Sequence, residues 1–294
     1  MLRNLKDSAS KHEIWNIISD YLKNASSSFS RMIPYLSTSS PYLVSTGQDF
    51  SVLGCQPLGT GNFSMTYISA TSFAVGTGKV LSYSRTRGIV RSTSITKTLD
   101  SWASGSAAGS LDTGTIAAST GYSVFAILST DHTASDILIS LSVNSPTLPT
   151  GYSYFKHIGS IFTNSSSQII NFVQHGNRFC FLAHQVNRAL TVFESTSRIS
   201  VAVTVPKYMI GIFRVTGSLP GTTAEECFAI VQSSESTNSA ATVSNHSLTV
   251  YSVGARVNSE MQIPVSSTGY IAIRGSSTSM YIGIATIGYI DTYM

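Results

Sequence analysis

The chain has 294 residues and a formal net charge of +4, and only 11% of its residues are charged. Hydrophobic residues make up 42% of it, which is enough for a sizeable core and excludes the apolar-poor composition of disordered tails. The scarcity of charge excludes a coiled coil, and the spread of the basic residues along the chain does not indicate a nucleic-acid-binding protein. The surface is therefore expected to be rich in hydroxyl groups rather than in ions.

One segment near the beginning of the chain has a helical pattern. Ser10 and Glu13 form a capping box, in which each side chain bonds a free backbone N–H of the first turn. The candidate attachment residues on and beside the following apolar stripe are Ile14, Trp15, Ile17, Ile18, Tyr21 and Leu22. A helix this short is marginal alone, so the stripe either packs on the rest of the chain or binds a partner or a sister helix. We assign residues 1–45 to an N-terminal helical attachment segment.

Residues 46–294 have the pattern of an all-β protein, because short β-branched and aromatic runs alternate with Gly, Ser, Asn and Pro clusters. The predicted fold is an antiparallel, jelly-roll-like β-sandwich with a short N-terminal α-helical segment, and a subdivision is placed near residues 185–200. The predicted strands are 123–128, 136–141, 157–162, 168–173, 178–183, 199–205, 210–215, 227–232, 247–253, 270–274 and 280–290.

Several ordered motifs between residues 97 and 176, and one at the end of the chain, carry a resemblance to a known family. They are Lys97-Thr98-Leu99-Asp100-Ser101-Trp102, Gly109-Ser110-Leu111-Asp112-Thr113-Gly114, Gly121-Tyr122-Ser123-Val124-Phe125-Ala126-Ile127, Ser145-Pro146-Thr147-Leu148-Pro149-Thr150-Gly151-Tyr152, Lys156-His157-Ile158-Gly159-Ser160-Ile161, Phe172-Val173-Gln174-His175-Gly176 and Gly288-Tyr289-Ile290-Asp291. Together they resemble a family of bacteriophage virion proteins described as tail-fibre-like. In two respects the chain departs from that family: the block around His157 is less basic, and the chain ends in Tyr293-Met294 rather than in arginine.

The resemblance implies a non-enzymatic structural protein of the virion, a tail-fibre or spike component that attaches through its N-terminus and contributes to host-surface recognition. The implied partners are other virion proteins (a tail adaptor, a portal-proximal protein or a capsid protein), sister subunits in a homotrimer by analogy with other phage fibres, and a host cell-surface glycan. A capsid decoration or head-fibre protein with a cementing role is the alternative, and a glycan depolymerase is a distant third. The family has no established catalytic residues, so none is transferred.

One tryptophan and three tyrosines are candidates for glycan contact. Sugars bind through stacking on aromatic rings combined with hydrogen bonds, and the last third of the chain is rich in tyrosine. The candidates are Trp102, Tyr270, Tyr281 and Tyr289. Packing in the core or at an interface is the alternative reading for each of them.

Other chemistry is weakly supported by the sequence. The histidines lack H-x-H and H-E-x-x-H spacing, so neither a metal nor a cofactor is predicted. The basic residues Arg85, Arg87, Arg91 and Lys97 are spaced to share one face of an extended strand, either as a phosphate-binding strip or as a charged, protected edge. Three scattered cysteines and the lack of an apolar signal or membrane segment predict folding in a cytoplasm, with no membrane insertion. The resemblance implies that this is the host cytoplasm and that assembly into the virion follows.

Overall fold

The computed structural model describes residues 63–190, 196–219, 226–251, 254 and 256–294. These residues lie within one compact unit, Pro57–Met294. The predicted N-terminal helix, with Ile14, Trp15, Ile17, Ile18, Tyr21 and Leu22, lies outside the described residues. Within the described residues the protein is all-β and contains no helix, so the predicted all-β character of this region is confirmed.

Eighteen strands are found in the described part of the chain. In chain order they are β1 (Met65–Ser69), β2 (Ser72–Val75), β3 (Gly78–Leu81), β4 (Gly88–Arg91), β5 (Ile95–Ser101), β6 (Ala108–Leu111), β7 (Gly121–Ser129), β8 (Ser135–Ser140), β9 (Tyr152–Phe162), β10 (Phe172–His175), β11 (Arg178–Arg188), β12 (Ile199–Ala202), β13 (Ile210–Ser218), β14 (Cys227–Ser233), β15 (Leu248–Val250), β16 (Arg256–Pro264), β17 (Tyr270–Gly275) and β18 (Tyr281–Ile290).

The strands form three larger sheets and a separate hairpin. The first sheet has the order β1-β2-β5-β6-β8-β7-β9, the second β10-β11-β18-β13-β16 and the third β12-β17-β14-β15, while β3 pairs with β4. Two pairings differ from the predicted antiparallel arrangement, because β6 runs parallel to both β5 and β8. The chain passes from β5 to the short β6 through the loop 102–107, which brings it back towards the beginning of β5 so that the two strands run parallel.

The core of the first sheet lies along β7, whose residues from Tyr122 to Ser129 are all buried. A continuous apolar run of this kind is covered on both faces rather than on one. Phe125, Ile127 and Leu138 form the centre of this core, and Trp102 and Tyr152 pack against its edge. The connection from Pro146 to Tyr152 therefore ends over the edge of the core.

The sheets contact one another through positions that only glycine fits. A Cβ on Gly159 of β9 would lie 3.1 Å from the Phe179 ring of β11, where the first and second sheets meet. A Cβ on Gly217 of β13 would lie 2.7 Å from the side chains of Leu248 and Val250 on β15, where the second and third sheets meet. At each point the missing side chain lets the two layers approach closely.

Candidate functional site

An open depression of about 430 Å³ lies at one end of the third sheet. Its lining comes from strand ends and turns and consists of Ser200, Ser234, Glu235, Ser266, Ser267, Thr268 and Tyr270. Tyr270 begins β17 and stands beside β12 on one side, because Ala202 is its partner in the strand register. The depression thus combines one aromatic ring, five hydroxyl side chains and one carboxylate.

The turn that precedes β17 is held by the side chain of Ser266. This residue is 3% exposed, and its hydroxyl accepts the Tyr270 N–H at 3.2 Å and bonds the Thr268 hydroxyl at 2.9 Å. Gly269 closes the turn with a φ of 85°, a conformation that disfavours residues with a Cβ. The turn therefore presents Ser267 and Thr268 in a fixed position.

Glu235 connects this turn to the one that follows β14. Its Oε1 accepts the Ser267 N–H at 2.9 Å, and the neighbouring Ser234 hydroxyl donates to the Tyr270 carbonyl at 3.0 Å. Glu235 is exposed, and its Oε2 has no hydrogen bond to the described residues. That oxygen remains available as an acceptor at the mouth of the depression.

Arg198 fixes the turn after β14 from the side of β12. Its guanidinium donates to the carbonyls of Ser233 at 3.1 Å, Ser234 at 2.5 Å and Ser236 at 2.6 Å. Because the guanidinium has five rigidly placed N–H donors, it can hold three carbonyls at once. Both turns of the depression are therefore ordered before any ligand arrives.

This arrangement suits the binding of a polyhydroxylated ligand. An aromatic ring offers an apolar face for stacking, and hydroxyl groups both donate and accept hydrogen bonds. The lining contains a single carboxylate, Glu235, whereas most glycosidases place two carboxylates around the bond they cleave. The lining therefore lacks the second carboxylate of that arrangement.

The structure places the four predicted glycan-contact residues in different environments. Tyr270 is 39% exposed and lines the depression. Tyr289 is fully buried and donates its hydroxyl to the Ser160 carbonyl at 2.8 Å, so its prediction as a glycan contact is wrong. Its apolar ring belongs to the core, where it stacks on Phe179 with 5.0 Å between the ring centroids.

Trp102 and Tyr281 lie away from the depression. The Trp102 indole donates to the Ile137 carbonyl at 3.2 Å and packs edge-on against Tyr152, which makes it a packing anchor. Tyr281 begins β18, pairs with Ser218 of β13 and is half-buried. Of the four candidates, the structure brings only Tyr270 to the depression.

The predicted basic strip is not formed. Arg85 lies in the turn between β3 and β4, with a φ of 56°, and Arg87 ends that turn. Arg91 ends β4 and donates to the Ser135 carbonyl at 2.6 Å, while Lys97 belongs to a different sheet. The prediction of one shared strand face is wrong, because the turn and the change of sheet interrupt the alternation on which it depended.

Lys97 is instead fully buried in an ion pair. Its ammonium lies 3.2 Å from the Asp136 carboxylate, donates to the Ala103 and Gly105 carbonyls, and lies 5.6 Å from the centre of the Trp102 ring. Burial lowers the pKa of Lys97, and the Asp136 charge and hydrogen bond oppose that shift. The pair ties the loop between β5 and β6 to β8.

A second buried cluster joins two motifs that are far apart in the sequence. The Nε2 of His157 lies 3.0 and 2.8 Å from the two oxygens of Asp291, and the Ser160 hydroxyl donates to the same carboxylate at 3.0 Å. The three residue types match those of a catalytic triad, but here the serine bonds the aspartate and not the histidine. All three side chains are buried, so the cluster clamps the end of the chain to β9.

Sequence reasoning missed both clusters, although the motifs that carry the resemblance contain most of their residues. The Lys156–Ile161 block supplies His157 and Ser160, and the closing Gly288–Asp291 block supplies Asp291. Nothing in their spacing shows that they meet, because 134 positions separate His157 from Asp291.

Clusters of metal-ligating side chains and membrane-spanning helices are both absent from the described residues. No group of three or more His, Cys, Asp or Glu side chains that could hold a metal ion was found among them. Nor is any helix long and apolar enough to cross a membrane found in this part of the chain. No protein-family model matches the chain, and no curated protein matches it.

Proposed function

We propose that this chain is a structural protein of a bacteriophage virion, a tail-fibre or spike component that contacts a host-surface glycan. In this proposal residues 1–45 form the helical segment that attaches the protein to the virion. The remaining residues form the jelly-roll-like sandwich that is displayed to the host. The resemblance of the motifs between residues 97 and 176 to tail-fibre-like proteins supports the virion assignment.

The observation that carries the glycan contact is the ordered, hydroxyl-rich depression at Tyr270. Its aromatic ring, its serine and threonine hydroxyls and the free oxygen of Glu235 offer the stacking and hydrogen bonding that a neutral sugar requires. Both of its turns are held by internal hydrogen bonds, so little conformational entropy is lost when a ligand binds.

A glycan array probed with the full-length chain tests the contact. We expect binding to at least one host-type polysaccharide, and Tyr270→Ala is expected to weaken it about tenfold, which corresponds to about 1.4 kcal/mol. Tyr251→Ala is the matched control, because Tyr251 is an exposed tyrosine (70%) outside the depression. Equal losses in the two variants, or binding that neither variant changes, would contradict a role for the depression.

Attachment is tested separately by deleting residues 1–45. The shortened protein is expected to be absent from purified virions while its circular dichroism spectrum retains the β signal of the full chain. Normal incorporation of the shortened protein would rule out attachment through this segment. A crosslink from residues 1–45 to a capsid protein, rather than to a tail adaptor, would favour the capsid decoration alternative.

Exposed apolar side chains on β11 support assembly with sister subunits. Leu182 is 61% exposed and Val186 is 72% exposed, and the pairing of β11 with β18 is interrupted between Cys180 and Gln185. Exposed apolar side chains that lie close together are common at subunit contacts. A homotrimer is the assembly we propose, and sedimentation of Leu182→Lys against the unchanged chain tests it, with dissociation expected and an unaltered mass contradicting the contact.

A further inference from the structure

Strand β16 forms a long, regular edge of the second sheet. It pairs with β13 over nine consecutive register positions, from Ser218–Arg256 to Ile210–Pro264, without a bulge. It is the last strand in the order of that sheet, and no strand of the described residues pairs with its other side. A regular unpaired edge of this length can receive one further strand.

The direction of the backbone groups of β16 follows from one hydrogen bond just beyond the strand. The Val265 N–H donates to the Met209 carbonyl at 2.9 Å, and these two residues continue the register of β13 and β16 by one position. In an antiparallel pair, residues that bond the neighbouring strand alternate with residues whose N–H and C=O groups point away from it. The odd-numbered residues of β16 therefore bond β13. The residues that turn their backbone groups to the open edge are Arg256, Asn258, Glu260 and Gln262.

The side chains of these four residues are all exposed, whereas those of the odd-numbered residues are half-buried or buried. Among the described residues, no carboxylate oxygen lies within 4.0 Å of the Arg256 guanidinium. The Glu260 carboxylate lies 3.4 Å from Arg178 in an exposed pair, and exposed pairs contribute little to stability. Both edge charges are therefore open to a partner.

The two charges are placed symmetrically on the strand. Arg256 and Glu260 lie two positions before and two positions after Asn258. When a second copy of β16 runs antiparallel with Asn258 opposite Asn258, Arg256 of each copy lies opposite Glu260 of the other. Opposite residues of an antiparallel pair carry their side chains on the same face, and opposite charges in such positions attract.

Other registers of two copies match the charges less well. The outward groups can bond only when even-numbered residues lie opposite even-numbered residues. A shift of two positions in either direction leaves both charges opposite neutral residues, and a shift of four places Arg256 opposite Arg256 or Glu260 opposite Glu260. The register centred on Asn258 is the one that matches both charges.

Charged residues and proline on an edge strand commonly prevent pairing. Charges prevent it when like charges face one another, but in this register Arg256 faces Glu260. Pro264 lacks an N–H group, but it lies beyond Gln262 and so leaves the outward groups of residues 256–262 unchanged. The edge therefore attracts a second copy in one register.

We propose that two copies of this chain pair antiparallel through β16, about a two-fold axis at Asn258. The contact is isologous, joins the second sheets of the two copies into one continuous sheet, and adds about six backbone hydrogen bonds and two Arg256–Glu260 ion pairs. Strand β11, the contact proposed for the homotrimer, lies towards the other edge of the same sheet. The inference goes beyond the proposed function and does not depend on it.

A cysteine at position 258 tests the pairing in the full-length chain. Asn258→Cys is made in a background with Cys55→Ser and Cys180→Ser and treated with a short bismaleimide, and Gln262→Cys in the same background is the matched control on the same exposed face. The proposed register places the Cα atoms of the two 258 positions about 5.5 Å apart. The two 262 positions lie eight residues apart along the strands, which is about 27 Å. We expect at least about fivefold more crosslinked dimer from Asn258→Cys than from Gln262→Cys.

Charge exchange tests the ion pairs. Glu260→Arg places two arginines opposite each other, and Arg256→Glu places two glutamates opposite each other. Each substitution is expected to lower the crosslinked fraction of Asn258→Cys at least about fivefold. The double variant Arg256→Glu/Glu260→Arg is expected to restore it, because opposite charges face each other again. Circular dichroism of every variant verifies that the fold is retained.

Three outcomes would overturn the inference. They are the absence of crosslinked dimer from Asn258→Cys, equal crosslinking from Gln262→Cys, and a folded double variant in which crosslinking is not restored. The last would leave the edge to a strand of another protein. The Leu182→Lys and Tyr270→Ala experiments keep their own readouts in each case, because neither residue lies on β16.

Discussion

Substitution of Lys97 by methionine is the sharpest test of how the first sheet is held together. The side chain is fully buried and lies 3.2 Å from Asp136, which is 2% exposed. Methionine keeps much of the volume but removes the charge, so the Asp136 carboxylate is left buried without a counter-ion. Breaking a buried pair from one side typically costs about 3–5 kcal/mol.

The structure places the expected loss at the lower end of that range. Asp136 would still accept the N–H groups of Gly105 at 2.8 Å and Ile137 at 2.6 Å, which partly compensate its charge. We therefore expect Lys97→Met to lower the free energy of unfolding by about 3 kcal/mol, a large share of the 5–15 kcal/mol typical of a domain. Urea unfolding followed by tryptophan fluorescence measures the loss, because Trp102 lies next to the pair.

A double-mutant cycle with Asp136→Asn isolates the interaction of the two charges. The double variant is expected to lose at least about 2 kcal/mol less than the sum of the two single variants, because neither charge is then left alone. Arg178→Met is the control, since the Arg178–Glu260 pair is exposed and worth under about 1 kcal/mol. A coupling below about 0.5 kcal/mol, or a control loss as large as that of Lys97→Met, would refute the reasoning.

Three further predictions concern Tyr289, Gly288 and Arg85. Burial raises the pKa of Tyr289 above its usual 10.0, so the folded state keeps a proton that the unfolded state loses, and stability falls as pH rises above 10. Burial also raises the pKa of Tyr152, so Tyr289→Phe should make this fall smaller in alkaline urea titrations, and an identical pH profile would contradict the prediction. Gly288→Ala is expected to lower the free energy of unfolding by about 3 kcal/mol, because its Cβ would overlap the Phe179 carbonyl of β11. A loss below 1 kcal/mol in urea unfolding would show that the β11 backbone shifts to make room for the methyl group. Arg85→Gly is expected to raise the unfolding free energy by about 1 kcal/mol by relieving a positive φ, and an unchanged midpoint would show that the turn is unstrained.

Local patterns predicted the turns and most strands from β7 onward. The Leu111–Gly114 turn is an example, because an aspartate followed two residues later by glycine favours a turn in which the aspartate bonds backbone N–H groups and the glycine adopts a positive φ. In the structure Asp112 accepts the N–H groups of Thr113 and Thr147, and Gly114 has a φ of 79°. The conformation of a turn depends on a few adjacent residues, so it can be predicted from the sequence without knowledge of the fold.

Strand β16, at the edge of the second sheet, was missed although its burial alternates along the chain. Val257, Ser259, Met261 and Ile263 are half-buried or buried, and the residues between them are exposed. A serine interrupts the apolar positions and Ile263 alone is buried, so the apolar signal in the sequence is weak. The pairing with β13 across nine register positions identifies the strand.

Of the four predicted glycan-contact residues, only Tyr270 lines the depression, so the sequence predicted one of its seven lining residues. Tyrosine abundance indicated which residue type to consider, but exposure decides which tyrosine can touch a ligand. Tyr289 lies in the same third of the sequence as Tyr270 and is fully buried. The stacking of Tyr83 on Phe155 could not be predicted, because Phe155 lies on a strand of another sheet that is distant in the sequence.

The sequence by itself determined the all-β class, the hydroxyl-rich composition and the chemistry of the turns, since these depend on local residue preferences. Only the tertiary structure decided which separated residues meet: Lys97 with Asp136, His157 with Asp291, and Tyr83 with Phe155. Such contacts depend on strand order and register, and these are set by packing of the whole chain. The chain has few charged residues, and the folded protein uses four of them in two buried pairs, Lys97 with Asp136 and His157 with Asp291.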